Sequence, residues 1–343
     1  MEIGLCTFGD IGTHPVSGET RDGLTRMRHL VEEAVLADEV GLDVFAVGEH
    51  HRRDYVVSAP AVVLAGIATR TSRVRLSSAV SVLGSDDPVR VFQEFATLDL
   101  LSDGRAEIMA GRGSFIESFP LFGYDLADYD ALFAEKLGLL LRLRDQETVT
   151  WSGRFRAAID ERGVYPRPTG PIPVWIAVGG TPASALRAGS MGLPLALAII
   201  GGEPARFGPF VEMYRASADQ AGHHGNRLPV CINCHGFIAD DARTAADVFY
   251  APYASAMNRI GAERGWPPTT RGQFDAMMAP SGSLLVGTPD QVTQKLIALH
   301  GIFGNSRFLV QMGVGPVPHD ALMRSIELLG TVVAPAVRAA TGG

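Results

Sequence analysis

Short apolar runs and longer amphipathic stretches alternate along most of this chain. The apolar runs are Glu2–Phe8, Asp43–Val47, Val74–Leu83, Arg105–Ala110, Val174–Val178, Leu193–Ile200, Val230–Ile238 and Arg307–Met312. Most are apolar on successive residues, the pattern of strands buried on both faces. Between them the spacing turns helical. In Arg21–Val40, residues Leu24, Met27, Leu30, Val31, Ala34 and Val35 recur on one face, and Gly41 stands where a helix closes. Further helices are predicted over Ala59–Thr69, Asp87–Leu101, Asp128–Arg144, Pro182–Ser190, Ala205–Ala221, Asp241–Ile260, Pro289–Gly301 and His319–Leu329. Pro60 and Pro88 sit in first turns, where a missing N–H costs nothing.

Strands alternating with helices imply parallel pairing through right-handed crossovers. Eight such units favour closure into a (β/α)8 TIM barrel over an open doubly wound sheet. No linker divides the chain, so one domain is expected over residues 1–343. Two stretches break the rhythm. Residues 149–169 carry Trp151-Ser152-Gly153 and Tyr165-Pro166, and residues 263–283 are rich in Pro and Gly. The first is expected to be built of turns or a small hairpin and the second to be irregular, both lying as lids over the carboxyl ends of the strands.

Composition narrows the class. The 343 residues are 46% hydrophobic, enough for a large core, and the net charge of -7 argues against a nucleic-acid partner. Met1–Gly9 lacks the basic start of a signal peptide, and no apolar run reaches the ~20 residues of a membrane span. A cytoplasmic enzyme with no membrane association is the expectation. Lysine occurs only at Lys136 and Lys295, both in helical patterns, which removes a P-loop and a strand-end Schiff base. The three cysteines form no disulfide framework. Cys231-Ile-Asn-Cys234-His235 spells a haem-attachment pattern, but it falls in a strand, where residues three apart face opposite ways. Buried strand cysteines are the expectation.

Polar chemistry concentrates at strand ends, where parallel α/β folds bind ligands. The Asp43 run ends in Gly48-Glu49-His50-His51. From a regular strand either His50 faces the barrel mouth, or Glu49 and His51 do, unless the chain bends at Gly48. Only His235 could join them around a metal, so no metal site is expected. The fourth strand runs into Gly111-Arg112-Gly113, where backbone can approach closely and a guanidinium can reach an anion. The fifth runs into Gly179-Gly180-Thr181-Pro182, with Thr181 as N-cap, so its helix start is a ready anion site. Gly201-Gly202 leaves room for a bulky flat ligand, and small residues flank the inner end of the third strand.

At this point the chain resembles the bacterial luciferase-like family of flavin-dependent monooxygenases over nearly its whole length. The matching pieces are Glu49-His50-His51, Ala79-Val80, Asp86-Asp87-Pro88-Val89-Arg90, Leu98–Arg105, Gly111-Arg112-Gly113 and Gly179-Gly180-Thr181. The resemblance implies a barrel that binds FMN, usually as a homodimer. It implies that His50 lies beside the reactive flavin edge and assists proton transfer, with Glu49 orienting or tuning it. It further implies a non-prolyl cis bond at Ala79–Val80 behind the ring system, and a phosphate held by Arg112, Gly180, Thr181 and Ser184. The candidate cofactor set is therefore Ala79, Val80, Gly111, Arg112, Gly179, Gly180, Thr181, Ser184 and Gly201. Gly111 departs from luciferase itself, which has cysteine there, so light emission does not carry over. The expected function is an FMN-dependent monooxygenase acting with O2 on a small organic substrate. A separate flavin reductase would supply reduced FMN, since no Gly-x-Gly-x-x-Gly site is present. Two rivals are a deazaflavin-dependent hydride-transfer enzyme, against which the double histidine leans, and a flavin-binding protein without catalysis.

Overall fold

A computed structural model describes residues 1–342. Its eight principal strands are β1 (Glu2–Thr7), β2 (Val44–Val47), β3 (Arg75–Ser78), β4 (Ala106–Gly111), β5 (Val174–Val178), β6 (Leu195–Ile199), β7 (Val230–Ile238) and β8 (Arg307–Gln311). Each pairs in parallel with its neighbours in sequence, β1 pairs with β8, and β4 with β5, so the ring closes. This is the predicted (β/α)8 barrel.

The double-sided apolar runs follow from that closure. Within β2, Val44 and Ala46 face inward and join Cys6, Met109, Trp175 and Cys231 in a small cluster inside the ring. Phe45 and Val47 face outward into the much larger core between strands and helices. Burying a side chain such as Phe45, 1% exposed, contributes roughly 1.5–3 kcal/mol. Cys231 and Cys234 part in the same way, one to each core, and all three cysteines are free.

Nine helices of the surrounding layer are α1 (Gly23–Glu39), α2 (Pro60–Ala68), α3 (Pro88–Ser102), α4 (Tyr129–Asp145), α5 (Pro182–Ser190), α6 (Gly208–Gln220), α7 (Ala242–Arg264), α8 (Pro289–Phe303) and α9 (His319–Leu328). Local chemistry fixes their starts. The Asp87 carboxylate accepts from Val89 N at 2.8 Å ahead of α3, and Thr288 and Gln291 close a capping box on α8.

The amino end of the barrel is plugged by charge. Arg307 opens β8 and donates to both oxygens of Glu107 on β4, at 2.6 and 3.0 Å. It also donates to Glu2 at 2.7 Å, and its guanidinium lies 4.3 Å from the Trp175 ring centre. Arg307 and Glu107 are each 1% exposed. With the bottom sealed, access to the interior is from the carboxyl face.

Four expectations need correction. The third strand is not continuous over Val74–Leu83: it stops at Ser78 and resumes as Ser81–Val82 beside β4, with the Ala79–Val80 peptide cis between them. Residues 149–169 do form the small hairpin that was one expectation, Thr148–Trp151 with Ile159–Gly163, but not in the expected place. The insertion packs on the helical layer and is no lid: Phe155 N in the hairpin donates to Glu135 of α4 at 3.0 Å, and Arg167, after it, donates to the carbonyls of Leu143 and Arg144 and stacks on Phe92 of α3. Residues 263–283 are less irregular than expected, because α7 runs on to Arg264 and a helix forms over Arg271–Met278, where Thr270 and Gln273 make a capping box. A short strand missed in the sequence, Leu285–Gly287, pairs with the end of β7.

Candidate active site

A cavity of about 350 Å³ opens at the carboxyl end of the ring. One side is built by the segment after β2. At Gly48 an added Cβ would lie 2.2 Å from the Ala79 carbonyl oxygen, so only glycine allows this approach. The chain leaves its strand geometry there, and both Glu49 and His50 reach the cavity wall while His51 does not. The end of the strand at Val47 thus resolves the alternatives left by the sequence.

His50 sits among aromatic rings. Phe8, Tyr55 and Phe115 have ring centres 4.4, 4.5 and 4.6 Å from the imidazole. Burial pushes the imidazole down to about 3, with Arg52, His51 and Arg264 adding to the effect. It is therefore neutral at physiological pH, with one ring nitrogen able to donate and the other to accept. Glu49, expected to orient His50, makes its contacts elsewhere. Its Oε1 accepts from Val82 N at 3.2 Å and lies 3.5 Å from His51 Nε2. Burial raises its carboxyl above the usual range, opposed mainly by His51. Through Val82 it ties the end of β2 to the strand that resumes after Val80.

The other side is cationic and rich in glycine. Arg112, just past β4, donates to the Thr181 hydroxyl at 3.3 Å, pairs with Asp130, and packs on the Tyr129 ring. Thr181 precedes α5 but makes no side-chain cap bond, which leaves the helix start open to a ligand. Gly180 has φ +105°, a conformation that excludes a side chain. A Cβ on Gly179 or Gly201 would meet nothing within 4 Å, so the mouth is open there, whereas one on Gly111 would meet the Val80 side chain at 2.7 Å. The guanidinium and the helix start suit a phosphate. Ala79, Val80 and Met109 give the same cavity an apolar wall suited to a flat ring. The residues present therefore fit a phosphorylated isoalloxazine.

Of the candidates from the sequence, Glu49, His50, Ala79, Val80, Gly111, Arg112, Gly179 and Thr181 all line this cavity. Gly180, Ser184 and Gly201 flank the lining without forming it. Ser184 is buried in the first turn of α5, where its N–H bonds to Thr181 O at 3.0 Å, and Gly201 follows the lining residue Ile200. A cluster of possible metal ligands, His29, Glu32 and His319, lies between α1 and α9, away from the lining. Its imidazoles are stacked 3.6 Å apart and 4° from parallel, which stops both aiming a lone pair at one ion.

Sequence reasoning missed much of the remaining wall. Asn233 and His235 follow Cys231 at the period of two that puts strand residues on one face, a signal that was legible. Asp10, Tyr55 and Phe115 come from loops, and Arg264 and Trp266 from the end of α7, where no short-range pattern points to the cavity.

Comparison with known proteins agrees with this geometry. The model of the family described as luciferase-like monooxygenase matches residues 1–306. The 4-hydroxyprotoasukamycin monooxygenase of Streptomyces nodosus subsp. asukaensis is 28% identical, over 94% of this chain and 89% of that protein. The F420-dependent glucose-6-phosphate dehydrogenase of Amycolatopsis mediterranei is 34% identical, but over 48% of this chain and 51% of that protein. Among solved structures, the monooxygenase RslO1 from Streptomyces bottropensis superposes with a TM-score of 0.85 at 26% identity, covering 98% of this chain and 99% of that one.

Proposed function

The chain belongs to the luciferase-like monooxygenase family, and we propose that within it the protein is an FMN-dependent monooxygenase acting with O2 on a small organic substrate. Reduced FMN, when bound, supplies the electrons that activate oxygen. The observation that carries this reading is the sharing of one cavity by Arg112 and Thr181 with His50. Arg112 and the amino end of α5 would hold the phosphate, and Ala79 and Val80 would back the ring. His50, neutral within its aromatic box, would give or take a proton at a ring nitrogen. Glu49 would act as a positioning residue, holding the β2 end against Val82. Phe8, Phe115 and Trp266 would keep water from the reacting atoms.

A separate reductase would deliver the reduced flavin. A homodimer is part of the same reading: Val62 on α2 and Leu101 on α3, 70% and 55% exposed, leave an apolar face for a second copy. No helix among the described residues is long and apolar enough to cross a membrane.

The F420-dependent relatives, which match 48% of the chain, support a second reading, hydride transfer without oxygen. The test is oxygen uptake with reduced FMN generated by an added reductase, across a panel of aromatic and alicyclic substrates. Substrate-dependent uptake with oxygenated product supports the monooxygenase. Turnover with reduced F420 under anaerobic conditions, and none with FMN, supports the second reading.

A further inference from the structure

Two buried polar atoms of residues that line this cavity find no partner in the protein: Asp10 Oδ2 and His235 Nδ1. Asp10 follows β1 and is 4% exposed, and its other oxygen accepts from Gly315 N at 2.9 Å. His235 lies on β7 and is 5% exposed. Between the two runs β8, whose Gln311 is in register with His235 and also lines the cavity. Asp10 is firmly placed. Ile11 N donates to Asp54 O at 2.8 Å and Val56 N to Gly9 O at 3.0 Å, joining its loop to the segment that carries His50.

The charged groups facing Asp10 are Arg26 and Arg259; both sit beside other carboxylates, although Arg259 Nε is buried without a hydrogen bond. Arg26 donates to Glu33 at 2.9 and 3.1 Å, and Arg259 lies 3.0 Å from Asp54. The neighbouring titratable groups, Tyr55 and Cys6, are both held neutral by burial. Burial likewise pushes the Asp10 carboxyl up to about 7. Native interiors seldom leave such atoms unpaired, because the desolvation goes uncompensated. A ligand that donates to Asp10 would satisfy it. An ammonium is disfavoured by Arg259 beside Asp10 and by Arg264 on the same wall. The surrounding surface, from Phe8, Tyr55, Phe115, Met257, Ile260 and Trp266, is flat and apolar.

We propose that Asp10 selects the substrate by accepting a hydrogen bond from a hydroxyl group on an aromatic ring, with His235 meeting a second oxygen of the same molecule. The substrate class is thus a phenol or a hydroxylated polycycle. The carboxylate can also take the proton outright: the substrate O–H bond breaks, its electron pair stays on that oxygen, and the proton goes to Oδ2. The ring left behind is electron-rich and open to oxygenation. That last consequence rests on the flavin reading; the recognition does not.

The test is calorimetric titration of the protein, with and without FMN, with 2-naphthol and with its methyl ether, 2-methoxynaphthalene. Wild type is expected to hold the naphthol about tenfold tighter than the ether near pH 8. The preference should fall as pH drops through about 7, where the carboxyl protonates. In Asp10→Asn the preference should shrink below about threefold and lose its pH dependence, with FMN affinity unchanged. No binding of either probe, equal binding of the two by wild type, or full pH-dependent preference in Asp10→Asn overturns the proposal. Should Asp10→Asn not fold, the pH dependence in wild type decides. Discrimination between the probes in a protein that never binds FMN would sink the flavin reading and leave this one standing.

Discussion

Arg112 and Thr181 lie 69 residues apart in the chain and meet at the rim of the barrel mouth at 3.3 Å. One ends the approach from β4, and the other begins the helix that follows β5, so the parallel pairing of these neighbouring strands brings them together. A guanidinium beside an open helix start concentrates positive potential at one point of the cavity rim. That point shares the cavity with the imidazole of His50. In the proposed reading, this relationship gives the site an anion end and a reactive end.

Asp130 competes for the anion end. Its carboxylate is 70% exposed and pairs with Arg112, a bond an incoming phosphate must displace. Asp130→Asn should tighten FMN binding by about threefold at low ionic strength, with less gain in high salt. Fluorescence titration at two salt concentrations measures both, and no change at either would show that the pair does not resist binding.

His50 should act as a neutral group throughout the working range. Because burial holds its imidazole near 3, the pH profile of turnover should show no limb near the ordinary histidine value of about 6.5 that depends on this residue. His50→Ala should lower kcat by about 10²–10⁴ and change FMN affinity only a few-fold. A limb near pH 6.5 that vanishes in His50→Ala would contradict this.

Asp10 makes stability depend on pH in the opposite sense to a salt-bridged carboxylate. Its folded value, about 7, lies above the usual 3.8, so the folded protein binds more protons between those limits and loses stability as pH rises through them. Asp10→Asn does not titrate, so it should gain on wild type between pH 4 and 8, on the order of 3 kcal/mol. Urea unfolding at the two pH values checks the sign, and a variant that loses ground to wild type as pH rises would refute it.

The plug at the opposite end should matter for folding alone. Glu107→Ala leaves Arg307 buried with only the partly exposed Glu2 as partner, and should cost about 3–5 kcal/mol. Activity per folded molecule, with stability followed by thermal melting, should stay close to that of wild type. A loss of activity greater than the loss of folded protein would move Glu107 into the functional account.

The barrel and the turn that opens α5 were legible in the sequence because each was local. Val44–Val47 shows burial on both faces in four residues, and Gly179–Pro182 writes a strand-to-helix turn in four more. The break at Ala79–Val80 was not visible in the apolar pattern, since Val74–Leu83 reads as one strand; it came only through the family resemblance. The polar wall opposite Arg112 was missed for a different reason. Asp10, Tyr55 and Arg264 come from segments of unlike structure, and only the closed ring makes them neighbours of one cavity. The insertion at 149–169 was misjudged as a lid because its Trp and Pro content marks turns but not the direction of packing.

Anaerobic titration with reduced FMN and with reduced riboflavin, on wild type and Arg112→Ala, tests the central claim most directly. FMN should bind wild type at least about tenfold tighter than riboflavin, and Arg112→Ala should lose most of that difference. Equal affinity for the two flavins in wild type, or an unchanged preference without Arg112, would contradict the phosphate grip and the site built around it.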